Sequence, residues 1–321
     1  MPLTVTSRSL YLILLFFVLA DVVLLCTSRA TLDLSEPSDL FWRLSSTAAF
    51  AMMFVVFSMR AATLGAVGRS IKYFAEAGLF LSLVQMFLPL FNHLTMMLPF
   101  PLQDDLLSGL DRSIGFNWLA YFEFVHAYPT LIKILEFCYV QLSYVGLIAL
   151  IALALLGDPR RVRFYVEVFF LTGVIAIVIG AGFPALAAVH LYVGDLSAYP
   201  NFPSPPGVYH LPHLELLRDA DAAVPLDPVG LPGLVTFPSY HTASGILLCV
   251  VFFRTWLFVP FTTYSLLMIA SSPVFGAHYL IDIIAGAILS VAVVWYLLGL
   301  PRYHGLFAQN ARDERTAALL T

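Results

Sequence analysis

TFPSYHTASG, residues 236–245, opens an apolar segment of membrane length and yet carries two threonines, two serines and a histidine. Polar groups inside a bilayer cost free energy, so such a stretch is a functional-site hypothesis by default. Its surroundings set the fold class. The chain has 321 residues, 60% of them hydrophobic and 11% charged, with a mean hydropathy of +0.89. Soluble domains of this size do not have that composition. The expectation is an all-α, polytopic membrane helix bundle.

A helix needs roughly 20 apolar residues to cross the hydrocarbon core. Eight candidate transmembrane helices follow, centred near residues 18, 52, 82, 144, 174, 248, 268 and 290, the sixth and seventh being short. The first run, LYLILLFFVLADVVLLC, is long and lacks a clean A-x-A cleavage pattern, and reads as a retained span. Basic residues orient the stack. With both termini cytoplasmic, 11 of the 16 Lys and Arg residues face that side, Arg312 and Arg315 of the tail among them. The GDPRRVR turn between the fourth and fifth spans is the clearest anchor.

Two long non-spanning regions then lie on the extracytoplasmic face. Residues 92–130 place apolar residues at helical intervals between acidic ones, as in one or two interfacial amphipathic helices. Residues 184–238 hold ten of the twenty prolines and read as an extended loop, with HLPHLELLRDAD as one short helix inside it. Asp104, Asp105 and Asp111 read as solvating a surface helix. A net charge of −4 with two lysines gives no basic patch for nucleic acid. Cys26, Cys138 and Cys249 all fall in apolar runs and read as small buried hydrophobes.

The polar pattern recurs in SSPVFGAHYLIDIIAG, residues 271–286, where the last span begins. His278 and Asp282 are four apart and share one face of a helix. A carboxylate there can fix the imidazole tautomer and leave the other ring nitrogen free to react. The topology brings His241 and His278 to the same membrane face, and Ser239 and His241 sit at a helix N-terminus, which favours an anion such as phosphate.

PSYH at 238–241, followed by HYLID at 278–282, resembles the type 2 phosphatidic acid phosphatase superfamily, whose motifs are KxxxxxxRP, PSGH and SRxxxxxHxxxD. The FPSYHTAS and GAHYLIDIIAG forms, with DRSIGFNW upstream, are most similar to the inositolphosphotransferase branch that holds inositol phosphorylceramide synthases. The resemblance implies a six-helix core in the C-terminal part. Residues 1–72 would form two N-terminal transmembrane helices, 73–301 the phosphotransferase-type membrane domain and 302–321 a cytoplasmic tail. It also implies that His278 is the nucleophile, that Asp282 orients it, and that His241 is the general acid and then the base. Ser239, Ser271 and His190 would bind phosphate, and no metal or other cofactor is needed. The substrate would be a phospholipid or polyprenyl phosphate within the membrane lipid, and the acceptor either water or a lipid or sugar hydroxyl.

The departures from the pattern matter. Ser272 stands where the third motif has arginine, and no KxxxxxxRP occurs; GFPALAAVHLY follows the fifth span instead. His190, Arg218, His210, His213 and Arg112 are the candidate replacements, His190 first by position. A less positive site suits a phosphodiester, with one negative charge, better than a monoester. Three rival readings stand beside this one. TASG at 242–245 faintly resembles intramembrane serine proteases, but Thr242 stands where they need glycine. A zinc site of His241, His278 and Asp282 leaves the PSYH turn unexplained. A lipid-binding or transport protein with lapsed catalysis would account for the absent arginines.

Overall fold

The computed structural model describes residues 5–35, 37–60, 63–219 and 223–307; the expected tail beyond 307, with Arg312 and Arg315, lies outside them. Thirteen helices fill the described chain. The first three, α1 (Arg8–Thr27), α2 (Pro37–Met59) and α3 (Ala66–Met96), run up, down and up, with α3 packed against the other two. Two short helices follow, α4 (Asp104–Ser113) and α5 (Trp118–His126), then α6 (Pro129–Val140), α7 (Leu142–Leu155) and α8 (Pro159–Gly182). Beyond them lie α9 (Ala188–Tyr192), α10 (Leu211–Asp219), α11 (Tyr240–Val251), α12 (Phe258–Phe275) and α13 (Leu280–Leu298).

The protein is an integral membrane protein. Six helices are long and apolar enough to cross a bilayer, namely α1, α2, α3, α8, α12 and α13. The expected fourth span is a pair, α6 and α7, bent by 61° at Gln141, which makes a seventh if taken as one span. The expected sixth is α11, whose 12 residues reach about 18 Å, short of the bilayer core. The described residues therefore hold six or seven crossings by length and composition, against the eight expected.

Burial separates the spans. Residues of α2 all reach the surface, so this helix is the outermost, whereas α8 is 72% buried and forms the axis of the bundle. It packs against α3, α7, α11 and α13. Asp158 caps its first turn by accepting from the Arg160 N–H at 2.9 Å, and Pro159 follows at the first helical position, where its missing N–H costs nothing. The GDPRRVR turn thus starts a helix. Arg161 then reaches across to the carbonyls of Val251 (2.7 Å) and Phe253 (3.0 Å), satisfying the open C-terminus of α11. Glu167, buried in α8, is paired, which offsets the cost of a charge inside the bundle: it accepts from Arg163 and Arg302, both at 2.8 Å.

The interfacial regions are more ordered than a proline-rich loop suggests. The expected amphipathic helices are α4 and α5, and the short helix in HLPHLELLRDAD is α10. An element outside the all-α expectation is a two-stranded parallel sheet, β1 (Ala30–Leu32) with β2 (Val224–Leu226). It ties the 184–238 segment to the end of α1.

Candidate active site

The site forms where α11 and α13 begin side by side. Ser239 caps α11: its Oγ accepts from the Thr242 N–H at 3.4 Å and from the Thr242 hydroxyl at 3.2 Å. Its own N–H donates to the backbone carbonyl of Asp282 at 2.9 Å, joining the two helix starts. This approach requires Gly286, because a Cβ there would overlap the Ser239 carbonyl oxygen. A second glycine, Gly276, sits where a Cβ would come within 2.6 Å of both the His278 ring and the Tyr139 hydroxyl.

His278 lies between these elements, 3% exposed. Its Nδ1 is 3.3 Å from Asp282 Oδ2, and its Nε2 is 3.3 Å from Ser239 Oγ. The carboxylate can only accept here, so Nδ1 carries the proton and the Nε2 lone pair faces the Ser239 hydroxyl. Asp282 is held in turn, since Oδ2 also accepts from the Tyr279 N–H at 2.9 Å in a capping box. His241, in the first turn of α11, stacks on Tyr139 with centroids 4.1 Å apart. Its ring centroid is 6.4 Å from that of His278.

The segment before α6 clamps the backbone that carries His278. Asp111, fully buried, accepts from the Leu280 and Ile281 N–H groups, both at 2.8 Å, and so caps α13. Burial pushes its carboxyl above the usual range, and the two amides pull it back. Asp104 accepts from the Leu186 N–H (2.9 Å), the Ala187 N–H (3.1 Å) and the Tyr279 hydroxyl (2.9 Å). Trp118 donates to the His278 carbonyl at 3.0 Å. Asp104 and Asp111 therefore hold the site together, in place of the solvating role expected for them.

A cavity of about 730 Å³ opens from His241 and His278 between α3, α6, α7 and α8. Among the described residues, no lysine or arginine lines it; the titratable side chains of the lining include Glu136, His210, His241 and His278. Four of the six expected site residues, His278, Asp282, His241 and Ser239, come together. The other two do not. His190 is exposed on α9 and does not line the cavity, and Ser271 is buried in α12 with its hydroxyl donated to the Met268 carbonyl at 2.6 Å. Arg218 is turned to the Met96 (3.4 Å) and Phe100 (2.6 Å) carbonyls, and Arg112 is exposed. His210 does line the cavity, its Nε2 donating to the Leu186 carbonyl at 2.8 Å. Burial lowers its imidazole pKa, the Leu186 carbonyl opposes that, and His278 nearby lowers it further. Tyr139 and Tyr209 carry no spacing signal in the sequence and reach the site from distant segments; Trp118 ends the DRSIGFNW element.

The PAP2 superfamily model matches residues 105–296, more than half of the chain, including all four clustered residues. The chain belongs to the PAP2 superfamily. No curated protein and no solved structure matches it. Membership in the PAP2 superfamily places it with phosphatase- and phosphotransferase-type lipid enzymes. The match begins at residue 105, just inside α4, so the three N-terminal helices stand outside it.

Proposed function

We propose that this PAP2 protein transfers a phosphoryl or phospho-headgroup unit from a phospholipid, through a phosphohistidine on His278, to a lipid hydroxyl. The observation that carries the reading is the facing pair of imidazoles, one oriented by a buried carboxylate, at the mouth of a largely apolar cavity. His278 Nε2 attacks phosphorus while Asp282 holds the Nδ1 proton and stabilises the imidazolium that forms. His241 gives its proton to the departing oxygen, then takes the proton of the acceptor hydroxyl in the second half-reaction. The first-turn N–H groups of α11 and the Ser239 hydroxyl serve the phosphate oxygens.

The absence of lysine and arginine from the described lining supports a phosphodiester donor over a monoester. A monoester carries about −2 charge and wants charge-assisted donors, whereas a diester carries one charge, which neutral hydroxyl and amide donors serve. This agrees with the inositolphosphotransferase-like form of the two motifs; in this reading the donor headgroup sits at the extracytoplasmic face, opposite the excess of basic residues. The same machinery with water as acceptor makes a lipid or polyprenyl phosphate phosphatase, and the missing cations also suit a protein whose catalysis has lapsed.

One assay separates the three. Purified protein is incubated with phosphatidylinositol labelled in its phosphate, with and without ceramide or diacylglycerol, beside His278→Ala. Label moving to the second lipid, absent in the variant, is the expected result. Free phosphate or inositol phosphate alone points to hydrolysis. No labelled product, repeated with phosphatidate and an isoprenoid diphosphate, rejects an enzyme.

A further inference from the structure

One wall of the cavity comes from α3, outside the family-matched residues. Val84, Leu88 and Asn92 face the cavity from this helix, across from Ile177 of α8. Asn92 is 6% exposed and its Oδ1 has no hydrogen-bond partner. Thr236, three residues before Ser239, is 4% exposed, lines the same cavity, and its Oγ1 is likewise unpartnered. Buried polar atoms are nearly always paired, because each one left alone bears its full desolvation cost. Two such atoms in the hollow that holds the reacting histidines point to a ligand that brings its own donors.

The rest of the lining defines that ligand. The apolar faces of α3 and α8 match an alkyl chain. With Glu136 as the charged lining residue, an anionic group at this end would meet no counter-charge among the described residues. We propose that Asn92 and Thr236 form the acceptor subsite, binding a neutral lipid alcohol that carries a second hydrogen-bond donor beside the hydroxyl to be phosphorylated. The proposal rests on the phosphotransfer reading above. The hydroxyl proton passes to neutral His241, its oxygen bonds to phosphorus, and the phosphorus–Nε2 bond of His278 breaks with its electron pair returning to the ring. Asn92 and Thr236 take no part in these bond changes. They hold the alcohol so that it occupies the space water would use, which favours transfer over hydrolysis.

The test uses the full-length protein in detergent with monoolein, which has two free hydroxyls, and with monoolein methylated on its secondary hydroxyl. Monoolein should raise the melting temperature of the wild type and of His278→Ala, and the methyl ether should not. Asn92→Leu and Thr236→Val should abolish the shift. Without lipid they should melt at or above the wild-type temperature, since each removes an unpartnered buried atom. In the labelled-donor assay the same variants should raise the KM for monoolein about tenfold or more and lower kcat by less. Equal stabilisation by the ether, an undiminished shift in both variants, or a fall in kcat at unchanged KM overturns the subsite. A normal monoolein shift with no turnover in any protein overturns the phosphotransfer reading and leaves the subsite standing.

Discussion

His278 and Asp282 are one unit, since the carboxylate sets which ring nitrogen is free. Asp282→Asn offers a hydrogen bond but no charge, and its amide can donate to Nδ1 and favour the wrong tautomer. We expect kcat to fall by about 10²–10⁴-fold with the lipid KM near the wild-type value, measured by headgroup release. A loss confined to KM would contradict the orienting role. His210 gives a separate, pH-dependent expectation. Its folded-state pKa is lowered by burial, so the stability it contributes is full above the ordinary value of 6.5 and is lost as pH falls below it. His210→Gln keeps a donor for the Leu186 carbonyl and has no imidazole to charge. Between pH 8 and pH 5 the wild type should therefore lose more melting temperature than the variant; equal losses would contradict the argument.

At the scale of elements, the site depends on how α11 and α13 begin. Asp111 caps α13 from outside the helix, with two amides and the positive end of the dipole on one carboxylate. Asp111→Ala should cost about 1–2 kcal/mol of stability in thermal denaturation. Activity should fall further than stability alone accounts for, because His278 lies two residues before the freed amides. Gly286→Ala drives a methyl group into the Ser239 carbonyl and should separate the helix starts. A variant with wild-type turnover and melting temperature would show that the close approach is not needed.

These elements also show what the sequence could and could not reveal. The spacing of His278 and Asp282, and the cap at Ser239, are local patterns, and the spans α1, α2, α3, α8, α12 and α13 announce themselves by hydropathy. Three things were not local. The 61° bend at Gln141 has no proline to mark it, so a bent pair reads as one span. Asp111 opens the DRSIGFNW element, but nothing local shows its capping role until α4 folds onto α13 and buries it. His190 follows the fifth span where the first motif was sought, but α9 turns it outward, whereas His210, at the start of the short helix read in HLPHLELLRDAD, takes a place in the cavity wall.

Across the whole molecule, the family-matched part supplies the reacting groups and α3 of the N-terminal helices supplies a wall, with α2 outermost. The proposed orientation puts the site outside and the Arg160, Arg161, Arg163 turn inside. His190→Cys should then react with an impermeant maleimide added to intact cells, and Arg160→Cys only after permeabilisation; the reverse pattern would invert the topology. The central claim is the covalent one. The most direct measurement is to quench the purified protein with phosphate-labelled phosphatidylinositol and map the label by mass spectrometry. The account predicts an acid-labile phosphoryl or phosphodiester adduct on His278, absent in His278→Gln, whose turnover falls by about 10³-fold or more. Undiminished turnover in that variant, or label on another residue, would contradict it.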